Sequence, residues 1–438
     1  MEKNMLFEIA EDVKKEIANY CDEFEIFIER EKSFGIDSQK NSLNFAKEEF
    51  NMGVGIRIIH NDKLGFAHTS NLDKIAQTAE AAFLNGKNNE KDPNFSFSHK
   101  SKLPKVANTY DKRFEKFELS EATDFLESAL AITEDEGCEA TSGSFSATSY
   151  ETLVLNSNDL CVLNKSSGFH GSISVNAEKD GEKSTAYDSV SSCSFDLDPV
   201  KLSKQVCEIA KDSINGVKVE TKDMDVILDY HGSTGLLNTF INAFNADNVQ
   251  RGRSILADKV DKAIVSDNLS IYDDGRLDGR LFSARSDSEG TPSEKTTLVE
   301  NGVLKGFIYD NYTSTKSGVA STGNGMRGTY ATTPSVDSSN IVLDFKSMIE
   351  LEEIKNGFIA TDVLGAHTAN PISGDFSVEA NNAFLIENGE ITKPVKKAMI
   401  SGNIFNALAN CQGVKSEIRQ YGSFIIPKIL CKDLRVVG

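Results

Sequence analysis

Two arginines separated by one glycine stand out in this acidic chain, in the segment QRGRS (250–254). Arginine presents several N–H donors in a planar fork, so Arg251 and Arg253 could hold a peptide carboxylate or carbonyl. Gly252 would let the backbone approach such a ligand closely, and Gln250 would add an amide. The same arginines could instead form salt bridges at a subunit contact, and the sequence leaves both interpretations open.

Histidine, cysteine and aspartate residues of the C-terminal half are further candidates for chemistry. Asp375 lies in NPISGDFS, whose small polar neighbours suit a binding surface, although aspartate in turns more often bonds to backbone donors. Neither His231 nor His367 pairs with a second ligand type at helical spacing, so the local sequence predicts no zinc site. A ligand set assembled from distant residues stays open. Asp375, His367 and Cys411 are the residues on which a self-sufficient hydrolase would depend.

The segment STGNGMRG (321–328) satisfies the pattern GxGxxG. A dinucleotide-binding turn needs a strand before the glycines and a helix after them. Here SGVA precedes the glycines, and the threonine-rich TYATTPS follows them. The segment therefore predicts a flexible loop that could line a cleft, with Asn324 as its candidate peptide contact.

The first half of the chain predicts helices alternating with paired strands. The predicted elements are a helix at 5–20, strands within 23–39 and 50–70, a helix at 71–86, a helix at 119–134, strands between 141 and 194, and a helix from Pro199 to Gly216. We expect turns at Gly35 and at Asn61-Asp62. The β-β-α pattern occurs twice, in 23–86 and in 138–214, which indicates two related layers. A polar segment at about 87–118 is expected to connect them.

The second half predicts mainly antiparallel sheet, after a strand at 224–229 and a helix at 233–246. Two Asn-Gly pairs, at 301–302 and 388–389, lie between alternating apolar runs. They predict hairpins, because both residues of the pair accept positive φ. We therefore expect an α+β fold in two domains. A mixed β/α domain would span 1–220, and a barrel- or sandwich-like β domain would span 221–438.

Charge and composition restrict the class of function. The chain has 47 basic and 66 acidic residues and a formal charge of −19, which repels phosphate backbones and anionic lipids and disfavours nucleic-acid binding. No run of about 18 apolar residues exists, and the acidic N-terminus lacks the features of a secretory signal, so we expect no membrane span. Seven scattered cysteines without a CxxC pair are typical of reduced thiols in a cytoplasmic protein.

Several segments, in order along nearly the whole chain, resemble the TldD/PmbA family. They are GVGIRIIHNDKLGFAHTSNLD (53–73), VLNSNDLCV (154–162), NADNVQRGRSILADKV (245–260), SEGTPSEKTTLVENGVLKGFIYDNYTSTKSG (288–318), STGN (321–324), NPISGDFS (370–377), FLIENGEIT (384–392) and ISGNIF (400–405). The resemblance implies a two-domain α+β chain that dimerises around a cleft. It also implies a part in a cytoplasmic metallopeptidase that acts on unfolded or small polypeptides.

The resemblance also identifies where this family places its metal. The TldD kind of subunit carries an H-E-x-x-x-H motif on a helix and a cysteine near the C-terminus, which supply zinc ligands and a general base. Here Asn238, Thr239 and Ala243 fall on the three motif positions, and VKSEIRQYGS (414–423) has no cysteine. Amides and hydroxyls bind zinc weakly and do not act as bases near neutral pH. The chain thus resembles the PmbA/TldE kind, with no catalytic residue and no metal of its own.

The motif segment LLNTFINAF (236–244) predicts an amphipathic helix. Its polar side would carry Asn238, Thr239 and Asn242. Its buried stripe would consist of Leu236, Leu237, Phe240, Ile241 and Phe244. The helix is therefore expected to keep its packing face without the ligands.

The leading hypothesis is a non-catalytic subunit that completes the cleft of a TldD-type zinc peptidase. Zinc is expected only in the TldD-type partner, and the isolated chain is expected to form a homodimer. Two alternatives stay open: a self-sufficient peptidase with a non-standard site, and a protein-binding modulator, as the family's older label "modulator of DNA gyrase" suggests. The candidate contacts with a peptide substrate are Gln250, Arg251, Arg253, Asn324 and Asp375.

Overall fold

The computed structural model describes residues 2–21 and 23–438. Within these residues, the N-terminal part forms a six-stranded antiparallel sheet in the order β3-β2-β1-β4-β5-β6. Its elements are helix α1 (Glu2–Ile17), strands β1 (Glu23–Gln39), β2 (Ser42–His60) and β3 (Lys63–Thr69), helices α2 (Ile75–Asn88) and α3 (Leu119–Asp135), strands β4 (Glu139–Asn156), β5 (Cys161–Lys179) and β6 (Glu182–Ser192), and helix α4 (Pro199–Asp212). The predicted β-β-α repeat is present, but each unit is longer than predicted. Each unit consists of a helix, three strands of the sheet and a second helix.

One predicted turn in this sheet is wrong. Gly35 does not reverse the chain but lies within β1, where it pairs with Lys47 on one side and Ser146 on the other. Its neighbours Phe34 and Ile36 are both buried under the helices, so the alternation of the strand continues through the glycine. The chain turns instead at Lys40, which has positive φ. The predicted turn at Asn61-Asp62 is confirmed, since both residues have the positive φ that a tight hairpin requires.

The two faces of β1 pack against different partners. Apolar residues at even positions, such as Ile26 and Ile28, form a core with α1 and α2. Residues at odd positions, such as Glu25 and Phe27, face the other side, where Glu25 bonds to Arg327 and Phe27 packs with Tyr330. The sheet therefore carries its helices on one face and the C-terminal part of the chain on the other.

The C-terminal part contains a closed five-stranded barrel. Its strands β7, β15, β16, β18 and β20 pair in this order, and β20 pairs back onto β7. The elements are strand β7 (Lys222–Leu228), helices α5 (Tyr230–Ile241) and α6 (Ala246–Gln250), strands β8 (Leu269–Asp274), β9 (Lys295–Glu300) and β10 (Val303–Leu304), helix α7 (Asn311–Ser317), strands β11 (Gly325–Met326), β12 (Ser335–Val336), β13 (Ile341–Phe345), β14 (Met348–Ile349), β15 (Asn356–Leu364), β16 (Asp375–Glu387), β17 (Glu390–Val395) and β18 (Ala398–Asn403), helix α8 (Ile404–Ala409), and strands β19 (Cys411–Tyr421) and β20 (Phe424–Val437).

The predicted α+β fold with a barrel-like C-terminal part is confirmed. Both Asn-Gly hairpins are present: β9 and β10 meet at Asn301, and β16 and β17 meet at Asn388, each with positive φ. The helix predicted at 233–246 starts three residues earlier, at Tyr230, and becomes a 3₁₀ turn at Asn242–Phe244. None of the helices in the described residues is long and apolar enough to cross a membrane.

Candidate functional site

A cleft of about 1250 Å³ lies between the six-stranded sheet and the C-terminal part of the chain. One wall comes from β4 and β5, and the opposite wall comes from residues 281–288 together with Met326 and Arg327. Asn238 of helix α5 also lines this cleft. Helix α5, which carries the aligned motif positions, therefore contributes to the cleft wall.

Helix α5 presents only one of the three aligned motif positions to the cleft. Asn238 is exposed, and Asn242, one turn later, is exposed beside it. Thr239 is only 7% exposed and Ala243 only 4%. The prediction that Thr239 lies on the polar side is therefore wrong. At 100° per residue, Thr239 and Ala243 lie on one side of the helix, at the margin of the buried stripe.

The buried side of α5 is as the sequence predicts. All five apolar residues of the stripe belong to the core that α5 shares with the barrel strands: Leu236, Leu237, Phe240, Ile241 and Phe244. The helix begins at Asp229, whose side chain accepts a hydrogen bond from the first helical N–H, that of Tyr230. Packing and capping thus hold α5 in place.

The residues at the family's metal position do not fit zinc. An exposed amide, a buried hydroxyl and a methyl group occupy positions 238, 239 and 243. Cys411 and Cys431 lie on either side of residues 414–423 in the sequence. Both are buried, and they face each other on the paired strands β19 and β20. Burial raises the pKa of the Cys411 thiol to about 12 and the pKa of Cys431 well above its ordinary value, so neither is a thiolate at neutral pH. Within residues 2–21 and 23–438, no three His, Cys, Asp or Glu side chains converge as a metal site would require.

Neutral polar side chains form a large part of the cleft wall. Many of the lining residues are serine, threonine or asparagine: Thr109, Thr152, Asn164, Ser166, Asn238, Ser283, Ser286, Ser288, Ser293, Ser338 and Ser423. The charged residues are largely paired with each other or with backbone. Lys165 lies 3.1 Å from Glu151, and the Arg285 guanidinium donates to the Leu163 carbonyl. The wall therefore offers hydrogen-bond donors and acceptors with little net charge.

A cluster of four buried charges joins the six-stranded sheet to the C-terminal part beside the cleft. Arg57 of β2 donates to both oxygens of Glu25 on β1, at 2.8 and 2.7 Å, and to Glu289 at 3.0 Å. Arg327 reaches the same Glu25 from the C-terminal part. Each of the four side chains is at most 8% exposed. Because an unpaired charge is costly when buried, the cluster fixes the sheet to the C-terminal part.

The pKa values in this cluster reflect burial and pairing. Burial alone would lower the pKa of Arg57, but Glu25 and Glu289 outweigh it and raise that pKa. Burial lowers the pKa of Arg327 to about 10, against the opposing effect of Glu25. Both arginines therefore remain charged at neutral pH. Burial also raises the pKa of Glu289 and that of the adjacent Asp287.

The glycine-containing segment 321–328 includes the short strand β11 and is not followed by a helix, so it lacks the context of a dinucleotide-binding turn, and the chain after it continues onto the N-terminal sheet. Two glycines of β2 make room for it. A Cβ at Gly53 would lie 2.2 Å from the Tyr330 ring, and a Cβ at Gly55 would lie 2.4 Å from the Tyr330 carbonyl oxygen. The loop therefore docks on the sheet through a close backbone contact, and this contact positions Arg327 in the charge cluster.

The segment QRGRS lies away from the cleft wall. The Gln250 amide donates to the Thr313 carbonyl at 2.7 Å and to the Ser317 hydroxyl at 2.8 Å, which ties α6 to α7. Arg251 is exposed and pairs with Asp247, one turn earlier on the same helix, at 2.7 Å. Arg253 is exposed. The structure does not bring these three side chains together around one point of the cleft.

The residues of the self-sufficient hydrolase alternative are also not assembled. The Asp375 carboxylate is exposed and accepts hydrogen bonds from the Ser373 hydroxyl at 2.7 Å and the Asn403 amide at 2.8 Å, which lower its pKa. His367 is exposed, whereas Cys411 is buried. Asp375 and His367 thus lie at the surface. Asp375 bonds to neighbouring groups of its turn, which is the role typical of aspartate.

Asn324 is an internal residue of the C-terminal part. Its side chain is fully buried and donates to the Asp273 carboxylate at 2.8 Å and to the Asp337 carbonyl at 2.9 Å. Asp273 accepts two further bonds from the backbone and hydroxyl of Ser339. Burial nevertheless raises the pKa of Asp273 to about 6. The geometry supports a positioning role for Asn324 in the loop core.

The raised pKa of Asp273 predicts a pH-dependent stability. A carboxyl whose pKa is higher in the folded protein stabilises it fully below its ordinary pKa, near 4, and loses that contribution as the pH rises through about 6. From pH 4 to pH 7 the natural protein should lose about 2–3 kcal/mol of unfolding free energy relative to the Asp273→Asn variant. Urea unfolding at both pH values measures this difference. A variant that keeps Asp273, such as Asp258→Asn on the exposed surface, should lose as much as the natural protein, whereas an equal loss in Asp273→Asn would contradict the assignment.

Sequence comparison identifies three consecutive domains of one family in the chain. Models of the PmbA/TldA metallopeptidase match at 24–85 for domain 1, at 112–214 for the central domain and at 221–438 for the C-terminal domain. An uncharacterized protein of Methanocaldococcus jannaschii is 31% identical over 411 residues, which cover 94% of this chain and 95% of the relative. Metalloprotease PmbA of Escherichia coli is 26% identical over 422 residues, which cover 93% of this chain and 91% of the relative.

Solved structures show the same fold. TldE from Thermococcus kodakarensis superposes with a TM-score of 0.91 at 24% identity, covering 98% of this chain and all of TldE. A protein from Thermotoga maritima, named as a modulator of a DNA gyrase, superposes with a TM-score of 0.90 at 25% identity over the full length of both chains. Because family models match three domains along the chain and one relative matches it over nearly its full length, this chain belongs to the PmbA/TldD metallopeptidase family.

Proposed function

We propose that the chain is the non-catalytic, PmbA/TldE-type subunit of a TldD-type zinc peptidase complex. The observation that carries this proposal is the chemistry at the aligned motif. Asn238 alone faces the cleft there, while Thr239 and Ala243 are packed into the core. An amide can bind a peptide group, but it supplies neither a strong zinc ligand nor a base. Zinc and the base would come from the partner.

The cleft supports a role in holding an extended polypeptide. Hydroxyls and amides along its wall can pair with peptide N–H and C=O groups, which every polypeptide has. Because the charged residues of the wall are largely paired, the wall should discriminate little between peptides with charged and uncharged side chains. A volume of about 1250 Å³ exceeds that of a pocket for one small molecule. Unfolded segments and short peptides are the substrates that match this surface.

The N-terminal sheet offers a surface that suits a partner subunit. Among the described residues, the outer edge of β2 pairs with β3 only from Val54 to His60, so its first part, Ser42–Gly53, is an open edge. Phe45 and Phe50 in this stretch are 54% and 58% exposed. An open strand edge with exposed aromatic side chains is prone to pair with another chain. We assign this edge to the TldD-type subunit.

Changing both phenylalanines should weaken the complex. Phe45→Ser/Phe50→Ser removes two aromatic anchors and should raise the dissociation constant of the heterodimer at least about tenfold, as expected for hot-spot residues. Analytical ultracentrifugation with a TldD-type subunit measures this change. Leu364→Ser, an exposed apolar residue of the barrel, is the control and should leave the affinity unchanged. Equal affinity for all three proteins would place the interface elsewhere.

Reconstitution tests the function itself. The chain alone should not hydrolyse an unstructured, fluorescence-quenched peptide, and addition of a TldD-type subunit should give activity that chelation of zinc abolishes. The partner alone is the control, and the mixture should exceed its rate. Chelator-insensitive hydrolysis by the pure chain would contradict the proposal and favour a self-sufficient peptidase.

A further inference from the structure

A second cavity, of about 500 Å³, lies apart from the cleft and has no lining residue in common with it. It is formed where the edge strand β6 and helix α4 of the N-terminal part meet the barrel. Cavities of this volume are typical of sites for small ligands. Nothing in the proposed peptidase role uses it.

A carboxylate with one free oxygen lies in the wall of this cavity. Asp188 is only 6% exposed, and its Oδ1 atom accepts hydrogen bonds from His231 Nε2 at 2.7 Å, the Tyr421 hydroxyl at 2.8 Å and the Ser189 N–H at 2.7 Å. No side chain or backbone group of the described residues donates to Oδ2. Burial alone would raise the pKa of Asp188, but the His231 and Tyr421 bonds outweigh it and lower that pKa. Oδ2 is thus a charged acceptor without a donor.

Aromatic rings surround this carboxylate. Tyr421 stacks on Tyr230 with ring centroids 5.6 Å apart, and His231 meets the edge of Tyr421 at 4.5 Å. Tyr187 lies 5.7 Å from the His231 ring. Such rings favour a cationic group placed among them, because their faces carry negative partial charge. An ammonium group in this position would meet a carboxylate and neighbouring aromatic rings.

Two cations with spare donors lie in the same cavity. Lys428 Nζ donates to Asp229 at 2.8 Å, which uses one of its three N–H groups. Arg419 Nε donates to Glu417 at 2.9 Å, and its guanidinium covers the Tyr230 ring at 4.8 Å. Both side chains keep more than a fifth of their surface exposed, 29% for Lys428 and 25% for Arg419. They can bind an additional carboxylate.

We propose that this cavity is a binding site for a small zwitterion of dipeptide size. The ligand's ammonium would donate to Asp188 Oδ2 among the tyrosine rings, and its carboxylate would accept from Lys428 and Arg419. Ile359, Phe384 and Ile391 supply an apolar wall for its side chains. Because the site shares no lining residue with the cleft, ligand binding there does not require the proposed peptidase role.

Ligand-side chemistry tests the site without altering the fold. In isothermal titration calorimetry of the full chain, L-alanyl-L-phenylalanine should bind saturably at millimolar concentration or below. N-acetylation of the peptide removes the ammonium and should weaken binding at least about tenfold, and C-terminal amidation should also weaken it, because charged hydrogen bonds are the strong ones. Absence of saturable binding, or equal binding of the free and N-acetylated peptides, would overturn the proposal.

Variants locate the binding site. Asp188→Asn should weaken binding of the free dipeptide at least about tenfold but leave any residual binding of the N-acetylated form unchanged. Lys428→Gln tests the carboxylate end independently, should Asp188→Asn not fold. Leu364→Ser, an exposed change outside both cavities, is the control and should leave dipeptide affinity unchanged, whereas Asn238→Ala tests the cleft as the alternative site. Loss of binding in Asn238→Ala but not in the two cavity variants would place the ligand in the cleft and overturn the assignment.

Discussion

Replacement of Arg57 by methionine should lower the free energy of unfolding by about 3–5 kcal/mol. Methionine fills much of the same volume but leaves the Glu25 and Glu289 carboxylates buried without their shared partner. Removing one partner of a buried ion pair costs far more free energy than the intact pair contributes, because the remaining charge is left unpaired in the interior. A large loss is therefore expected. Urea unfolding followed by circular dichroism measures the change.

Two controls separate the buried cluster from arginine pairs in general. Arg435→Met breaks an exposed pair with Asp223, whose side chains are 52% and 60% exposed, and should cost at most about 1 kcal/mol. The double change Arg57→Met/Glu289→Gln removes the carboxylate that Arg57→Met leaves unpaired, since Glu25 keeps Arg327, and should be less destabilising than the sum of the single changes. If Arg57→Met costs no more than Arg435→Met, the cluster does not hold the sheet to the C-terminal part.

Replacement of Gly55 by valine should have the next largest effect, a loss of about 3 kcal/mol or more. A Cβ here would lie 2.4 Å from the Tyr330 carbonyl oxygen, which belongs to the backbone, so the docked loop has to move. The shift would also pull Arg327 away from Glu25. Hydrogen exchange measured by mass spectrometry should show faster exchange in peptides that span 321–333.

The matched control is a glycine of the same sheet with free space around it. Nothing lies within 4 Å of a Cβ at Gly168 on β5, so Gly168→Val should change stability by less than about 1 kcal/mol and leave exchange in the loop unaltered. Unchanged exchange at 321–333 in Gly55→Val would show that the loop is not held by this contact.

Local patterns in the sequence predict those features that depend on local chemistry. Asn-Gly pairs and Asn61-Asp62 predict hairpins because positive φ is a property of the residues themselves. The apolar stripe of α5 follows from helical periodicity alone. The turn predicted at Gly35 is wrong because glycine tolerates both a turn and the middle of a paired strand. Its partners, Lys47 and Ser146, decide which occurs, and they are set by the whole sheet.

Features that depend on tertiary contacts could not be predicted. Glu25 lies between Phe24 and Ile26, an alternation that is typical of a solvent-facing carboxylate, yet it is fully buried by the C-terminal part. Asp188, His231 and Tyr421 meet although they come from β6, α5 and β19. QRGRS predicts either a site for a peptide carboxylate or salt bridges at a subunit contact, but Arg251 pairs with Asp247 within its own helix. No local signal distinguishes these outcomes.

The zinc content of purified proteins tests the central claim most directly. We predict that this chain retains no stoichiometric zinc after dialysis, whereas a complex with a TldD-type subunit retains one zinc ion, bound by that partner. Asn238→Ala should leave the zinc content of the complex unchanged, since the amide is not a ligand. One tightly bound zinc ion per chain, in the isolated protein, would contradict the account.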